Sequence, residues 1–168
     1  MQSAKDTFYV TLRDRLAGVN PGRTMVVRGV TRPGLLVGEN ELATAYEPVD
    51  VFRLRWTGVK VDAGGGLPLV TMSCEVRYAT DGSSGNGGMD RGRLLAGMDG
   101  ELIAAVGAAP QRAVKMNYAG VAAGTAAVAM GTSVFWGDVA LGATAETDER
   151  LERLATVEVF AYQEAGEL

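Results

Sequence analysis

The chain has 168 residues, 47% of them apolar and 21% charged, a balance that suits one water-soluble domain with a buried core. Twenty acidic against sixteen basic side chains leave a formal charge of −4, so no overall attraction to nucleic acid or an anionic membrane is expected. Histidine is absent, which excludes Ser-His-Asp and Cys-His catalysis and histidine metal ligation, and the lone Cys74 excludes an internal disulfide and a multi-cysteine zinc site.

The first element is a helix that Ser3 can cap, with Asp6 supporting its first turn and Phe8, Leu12 and Leu16 forming an i, i+4 stripe. After a turn at Asn20-Pro21-Gly22, the β-branched run Thr24 to Val30 reads as one strand. Thr31 to Pro48, with two prolines and two glycines, reads as a long surface loop. In Val51 to Val61, Phe52, Leu54 and Trp56 alternate with Arg53, Arg55 and Thr57, the period of a strand with one apolar face. Leu67 to Tyr78 repeats the pattern, with Val70, Met72, Cys74, Val76 and Tyr78 on the buried side. Ala63-Gly-Gly-Gly66 makes the two a hairpin.

A glycine-rich connector, Asp81 to Gly88, leads into a second helix on which Leu94, Leu95, Met98, Leu102 and Val106 recur at helical spacing. Beyond it, residues 108–131 are dominated by alanine and glycine. Alanine favours helix, but glycine and the lack of charge argue against a stable isolated one, so the segment is expected to be a flexible excursion that orders against a partner. Ser133 to Val139 and Ala155 to Tyr162 return to strand character, joined by an acidic loop at Ala145 to Glu152, and the last residues are expected to fray. The whole reads as a single α+β domain over residues 1–168. It has a mostly antiparallel sheet of about five strands, two helices packed on one face and long loops. No apolar run approaches the ~18 residues that span a bilayer, and the N-terminus shows no signal-peptide core, so a product made in the cytoplasm is expected.

Four constellations could carry chemistry. The connector Gly82 to Gly88, with Arg91 and Arg93 behind it, is either a phosphate cradle at a helix start or a plain hinge. It lacks the P-loop lysine and hydroxyl and the dinucleotide glycine spacing, which favours the hinge. Glu146, Asp148, Glu149 and Glu152 do not follow a calcium-loop pattern and read as a solvated loop. Arg53, Arg55, Lys60 and Arg77 would share the polar faces of adjacent strands as a basic strip, open to a neighbouring subunit, a passing nucleic-acid backbone or water alone. Trp56 and Tyr78 fall on the opposite faces, so no stacking platform for single-stranded nucleic acid results. Trp136, in Val134-Phe-Trp-Gly-Asp138, fits either the core, with Phe160 and Tyr162, or a subunit contact. With Tyr118, Val121, Val128 and Met130 of the uncharged segment it makes up the candidate subunit interface. Cys74 reads as a small buried hydrophobe. No catalytic residue, cofactor-binding residue or metal ligand is assigned.

The order of elements resembles the tail terminator (tail completion) family of tailed bacteriophages and phage-tail-like particles. The likeness lies in the opening helix ending Leu12-Arg-Asp-Arg-Leu16, the extended pair Val51 to Val61 and Leu67 to Tyr78, and the helix Asp90 to Val106. The late Ser133-Val-Phe-Trp136 and the closing Thr156-Val-Glu-Val-Phe-Ala-Tyr162 complete it. It spans nearly the whole chain and rests on pattern, with no short diagnostic motif. The resemblance implies a non-enzymatic subunit, without cofactor, that forms a hexameric ring on the head-proximal end of the tail. Such a ring ends tube polymerisation, meets the tail tube, neck or connector and sheath proteins, and leaves a channel for DNA. Another ring-forming neck or tail component, or an anion-binding domain using Gly82 to Gly88, is the alternative.

Overall fold

A computed structural model describes residues 1–38, 48–147 and 149–167. Two helices, α1 (Gln2–Val19) and α2 (Arg91–Gly107), pack on a curled, mostly antiparallel sheet, an α+β architecture. In chain order its strands are β1 (Thr24–Val27), β2 (Val30–Pro33), β3 (Leu35–Val37), β4 (Phe52–Asp62), β5 (Leu69–Thr80), β6 (Arg112–Asn117), β7 (Val128–Trp136), β8 (Ala140–Thr147) and β9 (Arg150–Tyr162). Seven of them form one sheet in the order β3-β4-β5-β9-β7-β6, with β8 also on β9, while β1 and β2 pair separately.

The alternation expected for the central hairpin is present, and Val70, Met72, Cys74, Val76 and Tyr78 are all buried. β5 pairs antiparallel with β4 on one side and along its whole length with β9 on the other. Burying a Val, Leu, Ile, Phe or Met side chain contributes about 1.5–3 kcal/mol, so these three strands dominate the core. The α1 stripe lands where its spacing puts it, with Ala4, Phe8, Leu12 and Leu16 buried. Phe8 wedges edge-on between Trp56, at 5.9 Å, and Trp136, at 5.5 Å. Arg15 ties the two helices, since its guanidinium donates to the carbonyls of Ala105, Ala108 and Pro110 at the end of α2 and lies 4.9 Å over the Trp136 ring. A cation on the free carbonyls at a helix C-terminus is favourably placed by the dipole. Arg23 and Glu101 form a two-bonded ion pair that joins the start of β1 to α2. Burial alone would raise the Glu101 carboxyl, but hydrogen bonds from Arg23 and Asn20 hold it below its ordinary value.

Several expectations are corrected. Ser3 lies inside α1, where its carbonyl accepts the Thr7 hydroxyl, and the cap position is Met1. Thr24 to Val30 is broken by a hairpin turn, with β1 ending at Val27 and β2 starting at Val30: Arg28 and Gly29 both take positive φ, the backbone of a two-residue turn matched to strand twist. Thr31 to Pro48 is not wholly loop, because β2 extends to Pro33 and β3 lies buried and parallel to β4; residues 39–47 fall outside the described residues. Within 108–131, β6 and the start of β7 are strand, leaving the loop 118–127 with one 3-10 turn. The acidic loop is mostly β8 and the start of β9, and the strand placed at Ser133 to Val139 begins at Val128 and ends at Trp136.

Candidate assembly surfaces

Three surfaces of the described residues stand clear of the core. The first is the arm formed by the far ends of β6 and β7 and the loop between them. From Tyr118 to Gly131 it carries no charged side chain, and most of it is exposed, with Val121 49% and Val128 61% accessible. Met130 and Tyr118 are half-buried; burial, then the charge of Asp14, pushes the Tyr118 phenol up. These four members of the candidate interface therefore sit together on one arm. Trp136 does not join them. It is 5% exposed, its indole N–H donates to the Val106 carbonyl at 3.0 Å, and Phe8 and Arg15 take its ring, so it serves the protein's own core.

The second surface is the outer face of the sheet, opposite the helices. Arg53 and Arg77 are direct cross-strand partners there, but Arg55 faces Glu75, and Lys60 faces Thr71. The basic strip is thus interrupted, because the β4 bulge between Trp56 and Gly58 and the acid on β5 separate its members. Trp56 and Tyr78 lie on the inner face as alternation requires. Across five strands, one row reads Lys60, Thr71, Phe160, Phe135, Arg112, with Tyr162 one pleat along. Phe135 and Tyr162 are exposed and Phe160 half-buried. The aromatic cluster expected in the core is split: Trp136 points in and these three rings point out. The signal was in the closing strand, where Ala155, Val157, Val159 and Ala161 alternate with Thr156, Glu158, Phe160 and Tyr162. The small side chains take the inner face because the helices crowd it.

The third surface is β8, all eight residues of which are exposed. It shares β9 with β7: β8 covers Arg150 to Thr156 and β7 covers Val159 to Ala161, so the sheet forks along one strand.

The connector takes a third form, neither open cradle nor slack hinge. Ser83 to Asn86 coil around the carboxylate of Asp90, which accepts the Ser83 backbone amide at 2.8 Å, the Ser83 hydroxyl at 2.7 Å and the Asn86 side-chain Nδ2 at 3.3 Å. Those bonds, the Ser83 amide first, hold the Asp90 carboxyl below its ordinary value. Three donors of the connector thus already serve a fixed negative charge. Gly82, at φ +81°, lies against Gly88, so a Cβ there would stand 2.6 Å from the Gly88 Cα. Arg91 donates to the Glu149 carbonyl and pairs with Glu146, and Arg150 pairs with Asp81. Glu146, the Glu149 carbonyl and Arg150 thus close the β8–β9 turn against the connector; Asp148 lies outside the described residues. Arg93 is exposed on α2.

A partly buried polar knot completes the inventory. Tyr78 donates its hydroxyl to Asp99 at 2.5 Å, and Arg153 sits 2.9 Å from the same carboxylate. Burial, then the bond to Asp99, pushes the phenol strongly up, which keeps its proton in place. The knot links β5, α2 and β9. Cys74 is buried on β5. Among the described residues no group of three or more acidic or cysteine side chains could hold a metal ion, and no helix is long and apolar enough to cross a membrane.

No family model matches the sequence, and no curated protein matches it. One solved structure, 14% identical in sequence, aligns with 99% of this chain and 97% of its own length at a TM-score of 0.47, a likeness too distant to carry an argument.

Proposed function

We propose that the chain is a structural ring subunit of a phage tail, a tail terminator that caps the tube at its head-proximal end and joins it to the neck. The observation that carries this reading is the arm from Tyr118 to Gly131: fourteen residues without a charge, most of them exposed. Such a surface is a liability in a solitary protein and an asset where a neighbour covers it. A closed ring needs two different patches that meet on adjacent copies. The arm supplies one, and the aromatic row Phe135, Phe160 and Tyr162 on the outer sheet face supplies a second of suitable chemistry. The resemblance in element order adds the setting, a hexamer around a DNA channel in contact with tube and neck proteins.

Mass measurement in solution, followed by electron microscopy of intact particles, tests the reading. A ring seen at the junction of tail and head is the expected result. A subunit that stays single inside a mature particle ends the ring reading, and a ring found at the baseplate end ends the terminator assignment.

A further inference from the structure

The C-terminal residues, expected to fray, are tied into the base of the arm. Between Val114↔Ser133 and Met116↔Ala129 the β6–β7 register slips, so that three residues of β7, Met130 to Thr132, stand opposite Lys115 alone. A bulge of this kind deprives backbone amides of their ladder partners. Glu164 supplies them. Its carboxylate accepts the Gly131 amide at 3.0 Å, the Thr132 amide at 2.9 Å and the Thr132 hydroxyl at 2.6 Å. Lys115, 0% exposed, fills the space behind: its ammonium donates to the Tyr162 carbonyl and to Glu167, each at 2.6 Å, and lies 3.3 Å from Glu164. The Glu164 amide returns a bond to Glu167, and the Gln163 amide reaches the Pro68 carbonyl. The other charge at this point is the amino group of Met1, 3.4 Å from Glu167.

We propose that residues 163–167 are a strap that sets the orientation of the 118–131 arm, with Lys115, Glu164 and Glu167 as positioning residues, and that assembly depends on the strap being fastened. The second half of this statement rests on the arm being a subunit contact. Its physical basis is that a bulged hairpin has no ladder to fix the angle between its two halves. Here the near half, Arg112 to Val114, belongs to the sheet, while Thr7 of α1 accepts the Met116 amide and holds the far half. The strap lies at the joint between them and converts a pliable bulge into a bonded one.

The test uses the full chain with Glu164→Ala and, separately, Lys115→Met. Amide exchange is read by NMR on dilute single subunits, and mass is read at assembling concentration. Glu164→Ala should speed exchange at Gly131 and Thr132 about tenfold or more while leaving Met72 and Val157 unchanged, as expected of a local opening. It should also raise the concentration needed for half-assembly by about tenfold. Unchanged exchange at Gly131 and Thr132 overturns the strap, and fast exchange with assembly intact overturns its coupling to the ring. If Lys115→Met does not fold, Glu164→Ala, at the edge of the cluster, still decides both points. A wild-type protein that is single at every concentration defeats the ring reading instead, and the exchange rates then judge the strap by themselves.

Discussion

The body of this protein and its arm are made of similar residues and put to opposite use. In β5, β9 and the first half of β4 an inward apolar set alternates with an outward one and is buried in the core with α1 and α2, while Val59 and Val61 at the far end of β4 stay exposed. In residues 118–131 alanine, glycine and valine follow one another with little period, and most of them stay exposed, with only Tyr118, Gly120, Ala127 and Met130 half-buried. Composition alone would call both regions hydrophobic. What separates them is pattern: a period of two gives a strand an inside, whereas an unpatterned apolar stretch can be covered only from without.

Breaking the body should cost most. Phe8→Ala removes the ring wedged between Trp56 and Trp136 and should lose about 3–5 kcal/mol in urea unfolding. Gly82→Ala attacks the border between body and connector. Its left-handed φ and the close approach to Gly88 should together cost about 2 kcal/mol, read from the urea midpoint at unchanged slope. Acid should loosen the arm selectively. The Thr132 hydroxyl, the Gly131 amide and Lys115 hold the Glu164 carboxyl at about 2, below its ordinary 4.5. A depressed carboxyl stabilises the fold fully above its unfolded value, so this contribution is present above about pH 4.5 and disappears as pH falls toward 2. NMR of the Gly131 and Thr132 amides should therefore show loss of protection across that range, and Glu164→Gln should flatten the response. The smallest effect on stability belongs to Val121→Asp or Val128→Asp in the arm, within about 0.5 kcal/mol of wild type. If the arm is the subunit contact, light scattering should nevertheless find single subunits at concentrations where wild type forms rings.

Much of the body was legible in advance because each of its elements carries a period. The α1 stripe Phe8, Leu12, Leu16 and the β5 set Val70 to Tyr78 are buried where spacing put them. Elements that answer to partners instead of periods were missed. β3, β6 and β8 are short or exposed, and their existence depends on a neighbouring strand; β8 has no buried residue to leave a pattern. The Arg28-Gly29 turn lacks the asparagine or aspartate usual at such positions. At the candidate surfaces, the structure brings Tyr118, Val121, Val128 and Met130 together on one arm, and the lack of charge that groups them is visible in the sequence. Of the two readings open for Trp136, the structure takes the core one, since the residue lies on the inward side of β7 against Phe8 and Arg15. The Lys115 strap had no local signal at all, since the lysine and its glutamates stand about fifty positions apart and meet only through the sheet.

The fork on β9 has a mechanical meaning. Its lower stretch is splinted by β8 and its upper stretch by β7, with Val157 and Glu158 at the crotch, where the Gly137 amide is bonded to the Glu158 carbonyl. A tug on either prong is delivered to the same thirteen-residue beam. The two prongs therefore share one support, and neither can be pulled from its pairing edge without loading β9.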